Sequence, residues 1–417
     1  MPLGDGGAGG GGGNVPLGDG GAGEARRERA ARRGVGDGHY PCPVTPDLAA
    51  ALPLRPDLRG VHPYGAPQLD VPVLLNVNEN PYPPGPQVVA DVAAAVAEAA
   101  AGLNRYPDRD FPALRADLAT YLAAESGAAG LAIEQVWAAN GSNEVMLHVL
   151  QAFGGPGRTA LSFAPTYSMY PEYARDTFTG WVTGRRESDF TLDPAHARAT
   201  IAAHRPAVVF LASPNNPTGT ALPLAVVEAV LDAARGAGPD GADAVVVVDE
   251  AYAEFRRAGT PSALALLERH PNLAVTRTMS KAFALAGARV GYLVAAPGLV
   301  DALRVVRLPY HLSAVTQAVA RTALRHAPAL LAQVATLREE RDATVAHLRG
   351  LGLEVPDSDA NFALFGVLDD RERVWQGLLD RGVLVRVTGP AGWLRVSIGT
   401  PAEMAAFRAA LEEVLGR

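Results

Sequence analysis

Two residue types that carry much of protein chemistry are almost missing from this sequence. Cys42 is its only cysteine and Lys281 its only lysine, so arginine fills every other strongly basic position. One cysteine excludes an intrachain disulfide and a cysteine-cluster metal site, and it favours a reducing, cytoplasmic location. We therefore expect a cytoplasmic protein without a bound metal.

The single lysine lies in "RTMSKAFALAGARVGY", residues 277 to 292. One interpretation is that a biased composition has nearly eliminated lysine and that Lys281 is a random survivor. The other is that Lys281 performs chemistry that a guanidinium cannot, because arginine stays protonated while an amine can lose its proton and attack a carbonyl.

The sequence also lacks a positive field and a long apolar run. Its net charge of −7 and pI near 5.8 offer little attraction to nucleic acid or anionic lipid. No apolar run approaches the ~20 residues that cross a bilayer, and no basic start followed by an apolar segment indicates a secretory signal. We expect no nucleic-acid or membrane partner, and a globular chain of 417 residues that forms two domains.

Residues 1–45 differ in composition from the rest. "PLGDGGAG" occurs at 2–9 and again at 16–23, with a glycine run between them, and a basic run follows at 24–33. A segment with so little to bury is predicted to be disordered. The basic run is interpreted as a solvated extension, with an RNA-binding or targeting arm as the alternative.

Short apolar runs alternate with helical patterns from about 130 to 295. Continuous rather than alternating apolar runs predict strands buried on both faces, hence a mostly parallel α/β sheet flanked by helices. A long helix is predicted from about 313 to 350, followed by shorter strands and a terminal helix. The predicted strands are 135–140, 158–163, 206–213, 242–252 and 272–280, and later 362–367, 382–387 and 393–399.

This pattern predicts a domain organisation after the disordered residues 1–45. An N-terminal arm, 46–85, would associate with a small α+β domain at 313–417. The large sheet would occupy 86–312.

Polar residues follow several predicted strands, where ligands bind in open α/β sheets. Each has an ordinary alternative: a helix cap at "GSNE", a tight turn at "PNNPTG", and a structural ion pair at "DEAY". Taken together they match a ligand with a phosphate, a ring nitrogen, a ring oxygen and an aldehyde. Pyridoxal phosphate has these four groups. The phosphate would contact Ser142, Asn143, Ser280 and Arg289, the ring nitrogen Asp249, the ring oxygen Asn216 and Tyr252, and the aldehyde Lys281.

The sequence resembles the fold-type I aminotransferases and, among them, the histidinol-phosphate aminotransferases of actinobacterial type. The resemblance covers about residue 55 to the end. It is carried, in family order, by "LNVNENPYPP", "NRYPDRD", "WAANGSNEV", "APTYSMY", "SPNNPTG", "VVVVDEAYAEF", "RTMSKAFALAGARVGY", "VRLPYHLS" and "LRVSIGT".

The resemblance implies a role for each matching residue. Lys281 would hold the cofactor covalently and shuttle a proton, Tyr167 would stack on its ring, and Asp249 would keep the ring nitrogen protonated. Tyr106 would reach the cofactor phosphate of a neighbouring subunit, which makes the enzyme a homodimer with shared sites. The substrate-binding residues would be Arg395, Arg386 and Tyr82.

The activity implied is transamination of histidinol phosphate with 2-oxoglutarate, giving imidazole-acetol phosphate and glutamate in histidine biosynthesis. One segment departs from the family pattern, because Val387 and Thr388 follow Arg386 where Arg-Asp is usual. An aromatic amino acid aminotransferase therefore remains an alternative. A related phosphate-substrate decarboxylase is a further one, since Arg395 as an anion anchor fits all three.

Overall fold

A computed structural model describes residues 52–128 and 130–417. The predicted disorder of residues 1–45, the basic run at 24–33 and Cys42 lie outside the described residues. The chain divides into two units after Gly65. The described part of the first unit includes a turn of 3-10 helix, Pro56–Leu58. All elements named below belong to the second unit, Ala66–Arg417.

Strands and helices are numbered here in chain order. The strands are β1 (Val73–Leu75), β2 (Val136–Ala139), β3 (Thr159–Ala164), β4 (Gly180–Arg185), β5 (Val208–Ala212), β6 (Val245–Asp249), β7 (Leu273–Thr278), β8 (Gly291–Ala295), β9 (Phe362–Phe365), β10 (Val383–Val387) and β11 (Leu394–Ser397). The helices are α1 (Pro86–Ala100), α2 (Pro112–Ser126), α3 (Ser142–Phe153), α4 (Tyr170–Asp176), α5 (Pro194–His204), α6 (Leu224–Ala234), α7 (Pro297–Val306), α8 (Ala314–Arg325), α9 (Ala327–Gly350), α10 (Arg371–Asp380) and α11 (Pro401–Leu415).

The larger sheet has the order β2-β8-β7-β6-β5-β3-β4. Neighbours from β7 to β4 run parallel, while β8 is antiparallel to both β7 and β2. Every residue of β5, β6 and β7 is buried, because helices cover both faces of the sheet. The predicted mostly parallel sheet is confirmed.

Two strands of this sheet were not predicted. β4 alternates exposed and half-buried residues at the sheet edge, so it lacks the continuous apolar run that marks the central strands. β8 is fully buried. β8 begins at Gly291, near the end of the stretch 277–292. That stretch was interpreted for the chemistry of Lys281 and Arg289, and no strand was predicted at its end.

The smaller sheet has the order β1-β10-β11-β9. β1 pairs parallel to β10, with Val73 opposite Val383, and the remaining neighbours are antiparallel. Helices α9, α10 and α11 contribute buried apolar side chains to a core shared with this sheet. The domain boundaries inferred from the sequence, at 86 and 313, stay a prediction.

The predicted continuous helix from about 313 to 350 is wrong. α8 ends at Arg325 and α9 starts at Ala327, with His326 between them in non-helical geometry. Pro328 lies in the first turn of α9. A proline is tolerated there because the amides of a first turn have no intrahelical partner, whereas inside a helix it breaks the hydrogen-bond ladder.

A buried ion network lies beneath the ends of β6 and β7. Arg277 on β7 is fully buried and donates to Glu250 and Glu125 at 2.8 Å each, and to Glu254 at 3.3 Å. Arg256 donates to Glu125 at 2.7 Å. Buried charges are tolerated only when paired, so the network ties α2 to the residues that follow β6. Among the described residues, no helix has the length and apolar character needed to cross a membrane.

Candidate active site

Three of the predicted site residues lie at the carboxyl ends of the parallel strands. Asp249 is the last residue of β6, Asn216 follows β5, and Lys281 follows β7 by three residues. β8 pairs with β2 on one side and with β7 on the other, and Gly291 lies opposite both Ala139 and Thr278. The end of β2, and the start of α3 that follows it, therefore lie near the end of β7. The sheet therefore places residues from distant parts of the sequence around one position.

Lys281 is half-buried, and its amine donates to the Val77 carbonyl at 3.2 Å. Burial, and next the positive charge of Arg395, lower the pKa of Lys281 to about 8. An amine with this pKa is neutral in about a tenth of molecules at pH 7, against fewer than about one in a thousand for an ordinary lysine. Lys281 is thereby suited to nucleophilic attack and to proton transfer, which a surface lysine is not.

Asp249 is buried, with 8% of its surface exposed, and three groups hold its carboxylate. Oδ2 accepts from the Tyr170 hydroxyl at 2.9 Å, and Oδ1 accepts from the Ala251 amide at 3.2 Å and from the Thr276 hydroxyl at 3.3 Å. Burial raises the pKa of Asp249, and these hydrogen bonds oppose the rise. The arrangement fixes the acid in place at the strand end.

Tyr170 is a site residue that the sequence did not indicate. Its ring stacks on Phe210 with centroids 4.8 Å apart, and the Tyr167 ring contacts it edge-on at 5.5 Å. The available signal was the second tyrosine of "APTYSMY", the same stretch that supplied Tyr167. Tyr167 also lines a cleft of about 270 Å³, together with Pro217 and Thr388.

The start of α3 and Arg289 form a cationic corner. Gly141, which has no side chain to cap the helix, precedes Ser142, and a Cβ on Gly141 would come 2.4 Å from the Arg289 guanidinium. Arg289 donates to the Ser280 hydroxyl at 3.4 Å. Backbone amides at a helix start and a guanidinium together form an anion site, and the hydroxyl of Ser280 adds a further polar contact.

Gly291 on β8 is required by this corner. A Cβ at Gly291 would lie 2.0 Å from the Ser142 nitrogen, which is backbone and cannot swing aside. We expect Gly291→Ala to destabilise the protein by about 3 kcal/mol, the upper end of typical overpacking costs, and to weaken anion binding. Chemical denaturation and cofactor titration measure both effects. Gly298→Ala is the matched control, because a Cβ there meets nothing within 4 Å, and similar stability of the two variants would contradict the prediction.

Two arginines share one face of the smaller sheet. Arg386 on β10 lies directly opposite Arg395 on β11, and opposite residues of an antiparallel pair point to the same side. Arg395 donates to the Asn76 carbonyl at 2.9 Å and to the side-chain oxygen of Asn216, and its guanidinium lies over the Phe362 ring at 5.1 Å. A rigidly held guanidinium with a second cation beside it is suited to bind an anionic group.

The segment 76–78 also belongs to the site, and sequence reasoning missed it. The Asn76 carbonyl accepts from Arg395, the Val77 carbonyl accepts from Lys281, and the Asn78 side-chain amide donates to the Tyr252 hydroxyl at 3.0 Å. Tyr252 in turn packs edge-on against Phe362 at 5.0 Å. The stretch "LNVNENPYPP" contained these residues, but two of the three contacts use backbone carbonyls, which leave no trace in side-chain identity.

Two predicted residues make contacts other than these. Tyr106 is 80% exposed and stacks on Tyr310 with ring centroids 4.4 Å apart. Tyr82 packs against the core of the smaller sheet, and its amide donates to the Asn80 side chain at 3.0 Å. Burial, followed by the charges of Glu340 and Glu403, raises the pKa of Tyr82.

The donor set fits pyridoxal phosphate. A buried carboxylate at a strand end matches the ring nitrogen, the cationic corner matches the phosphate, and the low-pKa amine of Lys281 matches the aldehyde. The paired arginines remain for an anionic substrate group. The contacts therefore suit amine chemistry on a substrate that carries a negative charge at one end.

Comparisons with known proteins identify the family of this chain. Residues 71–411 match the family model described as aminotransferase class I and II. The histidinol-phosphate aminotransferase of Thermobifida fusca is 63% identical over 366 residues, covering 88% of this chain and 96% of that protein. That of Frankia casuarinae is 59% identical over 383 residues, covering 92% of this chain and 95% of that protein.

A solved structure shows the same fold. The crystal structure of histidinol-phosphate aminotransferase from Sinorhizobium meliloti, in complex with pyridoxal-5'-phosphate, aligns with a TM-score of 0.76 at 24% identity. The alignment covers 87% of this chain and 98% of that one. The chain therefore belongs to the histidinol-phosphate aminotransferases, within the class I and II aminotransferase family.

Proposed function

We propose that this protein uses pyridoxal phosphate to transfer an amino group from L-histidinol phosphate to 2-oxoglutarate, giving imidazole-acetol phosphate and L-glutamate. The observation that carries the proposal is the position of the only lysine. The charges of Arg395 and Arg289 act on the Lys281 amine, whose pKa is lowered to about 8, and Asp249 lies opposite Thr276 on the strand that leads to Lys281. Relatives at 63% and 59% identity bear the name of this activity.

The residues proposed to hold the cofactor have the following roles. Lys281 would bond to its aldehyde, Asp249 would accept from its ring nitrogen, and Asn216 and Tyr252 would contact its ring oxygen. The phosphate would lie against Ser142, Asn143, Ser280 and Arg289, with Tyr167 against the ring. When bound, pyridoxal phosphate supplies an electron-poor ring that withdraws charge from the carbon bonded to the amine.

The protein's own contribution is proton control and orientation. The Lys281 amine would take the proton from the substrate Cα, which requires a base of moderate pKa. Asp249, held by Tyr170 and Thr276, would keep a proton on the ring nitrogen of the cofactor. Burial of Asp249 excludes water and strengthens the electrostatic interactions of its carboxylate.

Arg395 and Arg386 account for the use of two unlike substrates. Histidinol phosphate carries a phosphate and glutamate carries a carboxylate, and each has an amine at a similar distance from that anion. A guanidinium fork binds either anion bidentately. Tyr82 is assigned to the same pocket.

The proposed substrates can be tested by half-reactions. Histidinol phosphate, glutamate and phenylalanine are added separately to the pyridoxal phosphate-loaded protein, without an acceptor, while its visible absorbance is recorded. We expect rapid loss of the visible band with the first two and a much slower change with phenylalanine. A faster change with phenylalanine would favour an aromatic aminotransferase instead.

We further propose that the active unit is a cytoplasmic homodimer in which Tyr106 contacts the cofactor phosphate bound by the partner. Tyr106 is exposed and stacked on Tyr310, in the company of apolar side chains that also face solvent. Exposed apolar groups of this kind mark interaction surfaces. Leu103, Val305 and Leu308 are 56%, 83% and 74% exposed.

Subunit hybrids test the shared site. Lys281→Ala and Tyr106→Asp are each expected to be inactive, the second because a carboxylate repels the phosphate. Mixed, unfolded and refolded together, they should recover up to about a quarter of wild-type activity, since half of the dimers contain one intact site. If Tyr106 serves its own subunit, no hybrid site is intact and no activity returns.

A further inference from the structure

Three consecutive residues bring together side chains of both sheets. The Asn76 carbonyl accepts from Arg395, the Val77 carbonyl accepts from Lys281, and the Asn78 side chain contacts Tyr252. The first two contacts orient cations through fixed backbone dipoles. The third joins an amide to a hydroxyl, and either group can in principle donate or accept, so its direction depends on what surrounds Asn78.

Asn78 is held on every side. It is 2% exposed and lies at φ 56°, a left-handed conformation that asparagine tolerates and β-branched residues avoid. Its backbone amide donates to the Ser397 hydroxyl at 2.8 Å, and its carbonyl accepts from the Asn361 amide at 3.1 Å. The side chain lies between Ser397 and Tyr252, at 3.0 Å from each. A group fixed this firmly has one orientation available.

The direction of each hydrogen bond follows from the donors present. The Ser397 hydroxyl accepts from the Asn78 backbone amide and donates its one proton to the Asn78 side-chain oxygen. This places the amide nitrogen at the Tyr252 oxygen. An amide NH2 donates and cannot accept, so the Tyr252 proton is directed at a different acceptor.

We propose that Asn78 is a positioning residue that fixes the Tyr252 hydroxyl as a hydrogen-bond donor to the ring oxygen of the bound cofactor. The inference rests on the proposed function, because it requires pyridoxal phosphate in the site. A donor at that oxygen stabilises its negative charge and lowers the proton affinity of the cofactor. Ser397 acts through Asn78, so a residue of β11 sets a property of the cofactor.

The test reverses this hydrogen bond. Asn78→Asp keeps the shape of the side chain but replaces the donor by an acceptor, so the Tyr252 proton turns away from the cofactor. The measured quantity is the pH midpoint at which the visible band of the loaded protein changes. We expect Tyr252→Phe to raise this midpoint by about one unit, the value of one hydrogen bond to a charged oxygen, and Asn78→Asp to raise it similarly.

The hydrogen bonds from Ser397 through Asn78 to Tyr252 are called the relay below. A matched control and a double variant separate the effect of the relay on the pH midpoint from other effects. Asn78→Gly suits the left-handed backbone and removes the amide without adding an acceptor, so we expect less than half the rise. A new negative charge acting through space would raise the midpoint whether or not Tyr252 has a hydroxyl. If Asn78 acts through the Tyr252 hydroxyl, adding Asn78→Asp to Tyr252→Phe is expected to raise the midpoint almost no further. A midpoint that is unchanged in Asn78→Asp, or a fully additive double variant, overturns the proposal.

Two further outcomes are distinguishable. Should Asn78→Asp fail to fold or load, Ser397→Ala carries the test, because loss of the hydroxyl that orients the amide is expected to raise the midpoint by a smaller amount, and an unchanged midpoint contradicts the relay. Wild-type protein that binds no pyridoxal phosphate in titration contradicts the proposed function itself. Loading with normal affinity and an unmoved midpoint contradicts only the role of Asn78.

Discussion

Replacing Lys281 by alanine is expected to lower the rate of amino transfer by at least about 10⁴-fold, the upper end of what general acid–base catalysis contributes alone, because the covalent attachment is lost as well. Single-turnover kinetics with histidinol phosphate measure the loss. Lys281→Arg is the sharper variant: it keeps the positive charge and removes the titrating amine, so we expect nearly the same inactivity. Unchanged melting temperatures establish that both variants are folded. Activity near the wild-type level in either variant would refute the assignment.

The same residue predicts a pH dependence. The pKa of Lys281 is lowered to about 8, so its amine becomes neutral as the pH rises through that value. Only the neutral amine attacks an aldehyde. The rate at which cofactor-free protein bonds to pyridoxal phosphate is therefore expected to rise about tenfold per pH unit below 8 and to level off above it. A plateau reached only near pH 10 would mean that the amine is not perturbed.

The second large effect is expected at Arg395. Replacement by glutamine keeps a polar side chain but removes the charge and the fork, and losing one partner of a buried charge pair costs about 3 to 4 kcal/mol, or roughly 10² to 10³-fold in kcat/KM for histidinol phosphate. Arg395→Lys should recover only part of the lost kcat/KM, because an ammonium keeps the charge but cannot bind an anion bidentately. Steady-state kinetics with histidinol phosphate and with glutamate measure both losses.

A control for Arg395 lies in the same part of the chain. Arg381 pairs with Glu413 at 2.8 Å on the surface, and exposed pairs contribute little. Arg381→Gln is therefore expected to leave kcat/KM unchanged. A comparable loss in both variants would indicate that net charge, and not the Arg395 contact, controls substrate binding.

The strand ends were accessible from the sequence because buried parallel strands have continuous apolar runs. Asp249 and Lys281 follow such runs, and a carboxylate and an amine indicate their chemical roles by residue type alone. β4 was missed because this edge strand is partly exposed and has only two adjacent apolar residues, Trp181 and Val182, in place of a continuous apolar run. The helix break at His326 was missed because Pro328 in a first turn interrupts no ladder, so the pattern on either side reads as continuous.

Contacts made by the backbone account for the rest of what was missed. Arg395 and Lys281 donate to the backbone carbonyls of Asn76 and Val77. Almost any residue type has such a carbonyl, so the residue types at 76 and 77 do not indicate these contacts. Tyr170 and Asn78 do use side chains, but each acts on another site residue from a distant part of the sequence. Only the fold reveals such pairs.

The bond between Asn78 and Ser397 has a consequence for synthesis on the ribosome. These residues are 319 positions apart, so at typical elongation rates of 5 to 20 residues per second about 15 to 60 s separate their emergence. β1 has no β10 to pair with until synthesis has passed Val383. Lys281 is made 114 residues before Arg395, so it lacks the strand that carries Arg395 for about 6 to 23 s. A nascent chain released before β11 lacks the substrate anchor, however completely its large sheet has formed. Catalytic competence therefore arrives late, with the last fraction of the polypeptide.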